Sequence, residues 1–196
     1  MAGKVEARRK ALREELIKSA NRRIGEDGLA NLRARDLAKD AGCALGAIYN
    51  IFDDLDQLVL AVNALTFQKL GAAVAADLAE APEDPTEQLV VMAQSYHHFA
   101  ADNHNHWRAL FDVNRNEGES APDWYLHEMN RLFSYIHAPL GVLKPGLEAK
   151  DLDLLTRALF SSVHGIVSLG LADASGGVPR KDLDHMIALT LRQIGK

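Results

Sequence analysis

The stretch "ARDLAKDAGCALGAIYNIF", residues 34–52, decides how this chain folds. Leu37, Ala38 and Ala41 recur at helical spacing in its first half, and Ile48 and Phe52 do so in its second. Gly42 stands between them, so the spacing predicts two short helices, about Ala34–Ala41 and Ala44–Phe52, joined by a tight glycine turn. Such a pair is a helix-turn-helix candidate. Its second helix is locked to the first by Cys43, Ile48 and Phe52, leaving Leu45, Gly46, Ala47, Tyr49 and Asn50 to face outward.

On either side the chain reads as helix. A first long segment carries Leu12, Leu16, Ile17, Ala20 and Ile24 and stops at Gly28. A helix from about Asp54 to Ala79 follows, with Leu55, Leu58, Val59, Val62, Leu65, Thr66 and Leu70 as its buried stripe. Asp53 or Asp54 caps it, and Asp56 complements the positive end of its dipole. Asp84 then caps a helix opened by Pro85 and running to about Ala101. A short helix is expected around Trp107–Val113, and another from the Ser120/Asp123 capping box to about Pro139. The last two run from about Ala149 to Ala172 and from about Pro179 to Ile194. With no strand alternation, the expectation is an all-α fold of about nine helices. Residues 1–53 would form the helix-turn-helix domain and 54–196 a larger ligand-binding and dimerisation domain.

Composition narrows the class. An apolar fraction of 47% and a charged fraction of 25% are those of a globular protein. No apolar signal core or charge-free apolar run of spanning length occurs, so a cytoplasmic protein with no membrane partner is expected. Cys43 is the only cysteine, which excludes an internal disulfide and a cysteine-based zinc cluster. The net charge of -5 conceals an asymmetry, +4 over residues 1–52 and -9 over the rest. A basic head on an acidic body suits a protein that touches double-stranded DNA at one end only.

The segment "LDLLTRALFSSVHGIVSLGLA", residues 152–172, is apolar nearly all round, which exceeds what one buried face requires. Ser161, Ser162, Gly165 and Gly170 would admit a close helix neighbour. A homodimer through the last two helices, meeting their copies as a four-helix bundle, would bury the surplus; a central core helix of a monomer is the other reading.

Residues 12–62, with Leu16, Ile17, Ala20, Ile24, Gly28, Leu32, Arg35, Asp36, Leu37, Ala38, Ala41, Gly42, Gly46, Ile48, Tyr49, Phe52 and Leu58 at matching positions, resemble the N-terminal domain of TetR (AcrR-type) transcriptional regulators. "HWRALFDVN", 106–114, and "LFSSVHGIVSLGLAD", 159–173, resemble one branch of the family, marked by an apolar helix with a central His-Gly, here His164 and Gly165. The resemblance implies a homodimer whose reading helices enter successive major grooves of a palindromic operator. It also implies a small-molecule effector in the C-terminal domain that changes their separation, and so a repressor released by its ligand.

Tyr49 matches a family phosphate contact, and a phenol donates to a phosphate oxygen without needing charge. Asn50 suits bidentate reading of adenine, and Ala47 or Leu45 a thymine methyl. Leu45 equally suits the core, being three residues before Ile48. Three positions depart from the family pattern: Ala44 lacks a capping hydroxyl, and Ile51 and Leu55 stand where backbone contacts are usual. Arg33 and Arg35 can return charge to the phosphates. Lys4, Arg8, Arg9, Lys10 and Arg13 are either a DNA-contacting segment or a solvated helix end, and their place before a helix-turn-helix in an acidic chain favours contact. Leu45, Ile51 and Leu55 motivate an alternative, a small-molecule or protein-binding dimer of the same fold with weakened DNA reading.

The effector set comprises Tyr96, Phe99, Trp107, Phe111, Trp124, Tyr125, Met129, Phe133 and His164, aromatic or thioether side chains with a few polar handles, with Met92 as a further candidate. Each also suits an ordinary core; together they favour an apolar or aromatic effector over a sugar phosphate. No two of the eight histidines are three or four apart, so no single helix aims a histidine pair at one ion, and neither a metal nor a cofactor is expected. GxSxG, HExxH and phosphate-binding glycine loops are absent, so no enzyme is expected. Cys43 is either an inert core residue, which is favoured, or an oxidant sensor.

Overall fold

The computed structural model describes residues 2–113, 121–172 and 179–194, which hold nine α-helices and no strand. They are α1 (Ala2–Asp27), α2 (Ala34–Asp40), α3 (Leu45–Tyr49), α4 (Leu55–Ala79), α5 (Pro85–Asp102), α6 (His104–Ala109), α7 (Asp123–Leu143), α8 (Ala149–Leu171) and α9 (Leu183–Leu191). Short 3-10 turns, Leu29–Asn31 and Arg180–Asp182, lead into α2 and α9. Two compact units result: Met1–Phe67 with Asn103–Leu126, and Gln68–Asp102 with His127–Lys196. The boundary expected at residue 53 is thus interior to the first unit, which also takes in the start of α4 and all of α6.

The first unit is built on a core of Leu16, Ala20, Ile24, Leu37, Ile48, Phe52, Leu58 and Val62, contributed by α1 to α4. Burying each large aliphatic side chain there contributes roughly 1.5–3 kcal/mol. Two glycines make the turns possible. Gly28, at φ 78°, ends α1, and its N–H is bonded to Ile24 O at 3.0 Å; Gly42, at φ 61°, turns the chain between α2 and α3. Across the turn, Cys43 N–H donates to Ala38 O at 2.9 Å. At the surface, Asp40 accepts from Arg23 Nε at 2.6 Å and Arg22 Nη2 at 2.7 Å, fastening α2 to α1. The Arg23 hydrogen bond, helped by the surrounding positive charge, holds the Asp40 carboxyl below its ordinary range.

Several expected boundaries move. α6 begins at His104, three residues before the expected start, and it does not reach Val113. The polar run "NHNH" that reads as a break is helical because two of its side chains bond to α1: Asn105 Nδ2 donates to Gly25 O at 2.9 Å and His106 Nε2 to Asn21 O at 2.8 Å. α7 continues through Pro139 to Leu143. The proline costs one backbone bond, but Ile136 and Leu140, both buried, anchor the helix on either side of it. α3 is confined to Leu45–Tyr49, and Phe52 follows through a turn closed by its N–H on Ile48 O. Leu65 is exposed, although its spacing places it with the buried stripe of α4; the burial of Leu60, Ala61, Asn63 and Ala64 shows that α4 is covered on several sides rather than one. Asp54 and Asp84 are the caps, accepting from the N–H groups of Gln57 at 2.7 Å and Glu87 at 2.9 Å. Ser120, the expected cap of α7, lies outside the described residues.

In the second unit, α5, α8 and α9 pack together through Leu89, Ala93, Val163, Val167, Leu183, Ile187 and Leu191, all buried. At Gly170 α9 presses close on α8, since a side chain there would collide with Leu183. α4 and α8 are both long and apolar enough to cross a membrane by length and composition, but the most apolar window of α4 is 61% buried within the fold and that of α8 only 33%. α8 therefore keeps much of its apolar surface open, with Leu154 and Leu169 exposed.

Candidate nucleic-acid interface and effector site

α3 is docked on one side only. Ile48 has no solvent exposure and Phe52 little, whereas Leu45 is 40% and Tyr49 49% exposed. Asn50 is exposed and Ala47 half-buried. Of the two readings open for Leu45, the structure shows the outward one. Ile51 and Leu55 are partly buried against the head's core, so they act as packing residues, and Cys43 packs there too. Ala44 occupies the N-cap position with extended backbone and no capping bond from its side chain.

The basic residues before the motif are helical, because α1 begins at Ala2. Lys4 and Arg8, one turn apart, are exposed. Arg9 and Arg13 reach the end of α3 and the turn after it: Arg9 Nη2 donates to Asn50 O at 3.4 Å, and the Arg13 guanidinium stands 5.3 Å from the centre of the Phe52 ring. Arg33 is exposed, but its Nη1 donates to Ala30 O at 2.7 Å and Leu32 O at 3.1 Å, which closes the turn before α2. Arg35 is exposed on α2.

The nine effector candidates fall in both units. In the first unit, Trp107 is buried, with His104 and Phe111 rings 5.9 and 5.7 Å away; Tyr125 is buried with Phe67 at 5.3 Å and Trp124 at 5.9 Å. Phe111 and Trp124 are exposed over a little under half of their surface. In the second unit, Tyr96 of α5, Phe133 of α7 and His164 of α8 converge around Phe160, which lies 5.9, 5.3 and 5.7 Å from them and stacks on the imidazole. The Tyr96 hydroxyl and His164 Nδ1 are hydrogen-bonded at 2.8 Å. Burial pushes the His164 imidazolium below its ordinary pKa, which keeps the ring neutral and its Nδ1 able to accept. Phe99 of α5 is buried and Met129 of α7 half-buried. The cluster thus packs three aromatic rings around one polar pair.

Sequence reasoning passed over Phe160, although its place one turn before His164 puts both on one face of α8. It also passed over the polar residues that hold α6 and α4 together, among them Asn63, fully buried, whose Nδ2 donates to Ala109 O at 2.8 Å. A lone asparagine amid apolar residues was the available sign. His97 and His98 of α5 both reach Asp184 of α9, a grouping that spacing along one helix could not reveal.

Residues 89–194, more than half of the chain, match the family described as "Tetracyclin repressor-like, C-terminal domain". Over 77 residues the chain is 36% identical to the HTH-type transcriptional regulator BetI of Stenotrophomonas maltophilia; the match covers 39% of each, so the chain spans about two fifths of the length of that curated relative. Among solved structures, a protein from Rhodococcus sp. RHA1 superposes with a TM-score of 0.73 at 20% identity, covering 94% of this chain and 93% of the other. RolR in complex with resorcinol superposes with a TM-score of 0.68 at 24% identity, covering 97% and 96%. At these identities the superpositions speak for the fold alone. The family match and the helix-turn-helix head together identify the chain as a member of the TetR family of transcriptional regulators, which are not enzymes.

Proposed function

We propose that the chain is a homodimeric repressor that holds a palindromic operator through α3 and the basic residues around it, and releases it when a small, mostly apolar effector binds the second unit. The one-sided docking of α3 carries this reading: Ile48 and Phe52 anchor it while Leu45, Tyr49 and Asn50 face solvent. Tyr49 would donate to a phosphate, Asn50 would read adenine, and Leu45 with Ala47 would touch thymine methyls. Lys4, Arg8 and Arg35 would supply the charge that α3 lacks, with Arg9 and Arg33 bracing the same surface. The packing role of Ile51 and Leu55 removes most of the ground for a dimer that has lost DNA reading.

The dimer would form on the open face of α8 and α9. Leu154, Ser161, Ser162 and Leu169 of α8 and Leu189 of α9 are exposed, and a Cβ at Gly165 would meet open space, so a partner helix could approach closely there. Phe160, Phe133, Tyr96 and His164 would receive the effector. RolR's complex with resorcinol shows a relative taking a small aromatic diol, and such a molecule would stack on Phe160 and exchange hydrogen bonds with Tyr96 and His164. An effector that prefers the conformation with mismatched reading helices would lower operator affinity by the coupling free energy, about 1–3 kcal/mol. Tyr49→Ala combined with Arg33→Ala tests the reading: DNA binding should be lost while the dimer persists, and unchanged DNA binding would refute it.

A further inference from the structure

Outside the reading head and the aromatic cluster, a third set of chemistry-bearing side chains converges on the seam between α5 and α9. His97 and His98 are consecutive on α5, so they leave the helix about 100° apart. Both nonetheless turn to the same carboxylate, and they do so through different ring nitrogens. His97 Nδ1 donates to Asp184 Oδ1 at 2.8 Å, and His98 Nε2 donates to Asp184 Oδ2 at 2.8 Å. One ligand atom from each residue lies within 4.8 Å of the other two.

We propose that His97, His98 and Asp184 form a divalent transition-metal site, of the kind that takes Zn2+, stapling α9 to α5. Two imidazoles and one carboxylate are the donor set that borderline cations prefer over Mg2+ or Ca2+, which take oxygen cages. In a tetrahedral site with bonds of about 2.0–2.1 Å, ligand atoms stand about 3.3 Å apart, a spacing that these atoms, all within 4.8 Å of one another, can approach by side-chain adjustment. Exposure is graded as an open site requires. The His97 side chain is 10% exposed and forms the inner wall, while those of Asp184 at 39% and His98 at 58% leave a side for water to complete the shell. In the metal-free state each imidazole directs an N–H at the carboxylate; on binding, that nitrogen offers its lone pair instead and the proton moves to the other ring nitrogen.

The frame is stiff enough to hold such a geometry. Leu183 and Ile187, flanking Asp184 on α9, are fully buried, Gln94 Nε2 donates to Asp184 O at 3.3 Å, and Arg192 grips Glu87 through two bonds of 2.7 and 2.8 Å near the far end of the seam. The expectation of no metal rested on histidine pairs within one helix, and here the third donor arrives from 86 residues away.

The test uses the full-length chain after dialysis against chelator. Titration with Zn2+ alone, followed by calorimetry, should show saturable binding of one equivalent per chain with a rise in Tm, and Co2+ should give a visible absorption band. His98→Ala and Asp184→Asn, at the exposed positions, should each weaken Zn2+ binding at least tenfold while the helical circular dichroism is unchanged. The proposal fails if neither ion binds saturably, or if both variants bind as the parent does. It also fails if the two variants change only the pH dependence of unfolding, because the trio would then be a proton-linked clasp.

Discussion

The His106 imidazole occupies the space where a side chain at position 25 would begin: a Cβ on Gly25 would lie 2.5 Å from His106 Cε1. The ring cannot easily withdraw, since its Nε2 is bonded to Asn21 O one turn earlier on α1. The pair Gly25 and His106 therefore fixes how α6 lies on α1, within the unit that carries α3.

Gly25→Ala sets two effects against each other. Alanine in a helix interior gains about 1 kcal/mol over glycine, whereas displacing His106 and losing its partly buried hydrogen bond costs about 1–3 kcal/mol. The expected result is net destabilisation in urea unfolding. In a His106→Ala background the same change should stabilise, and a destabilisation there would show that the contact is not responsible.

The burial of His164, whose Nδ1 meets the Tyr96 hydroxyl, gives a pH dependence of known sign. Burial depresses the folded pKa of His164, so its contribution is fully present above the unfolded value of about 6.5 and is lost as pH falls through the folded value. Thermal unfolding between pH 7.5 and 5, values chosen to bracket about 6.5, should show a steeper loss in the parent than in His164→Asn. A parallel loss in both would assign the titration elsewhere.

Leu154 and Leu169 lie exposed on α8, about four turns apart on the same side. If this face meets its copy, Leu169→Arg should convert a dimer to a folded monomer in sedimentation equilibrium. A dimer that survives both Leu169→Arg and Leu154→Lys would place the interface elsewhere.

Phosphate contacts show themselves through salt. If Lys4 and Arg8 contact phosphates, each change to alanine should lower operator affinity at every sequence and reduce the slope of log affinity against log salt by about one. An unchanged slope in both would return this end of α1 to a solvated role.

The head was legible because local signs agree there: Gly42 needs its positive φ, and Leu37, Ile48 and Phe52 keep helical spacing toward one core. Where polar side chains determine structure through distant backbone, the sequence misled. "NHNH" reads as a break, yet Asn105 and His106 make it a helix by bonding to α1. Pro139 reads as a stop, yet buried neighbours carry α7 past it. The aromatic set could not be divided from sequence, because composition cannot say that Phe160 joins Tyr96 to His164 while Trp124 is exposed. His97, His98 and Asp184 were invisible for the same reason, their meeting being a property of how α5 packs on α9.

Selection of random DNA fragments by the purified chain at low salt, followed by sequencing, tests directly whether α3 reads an operator. One short palindrome, rich in A and T at the positions facing Asn50 and Leu45, should be enriched, and Tyr49→Ala should abolish that enrichment. Recovery of no enriched sequence would contradict this role of α3.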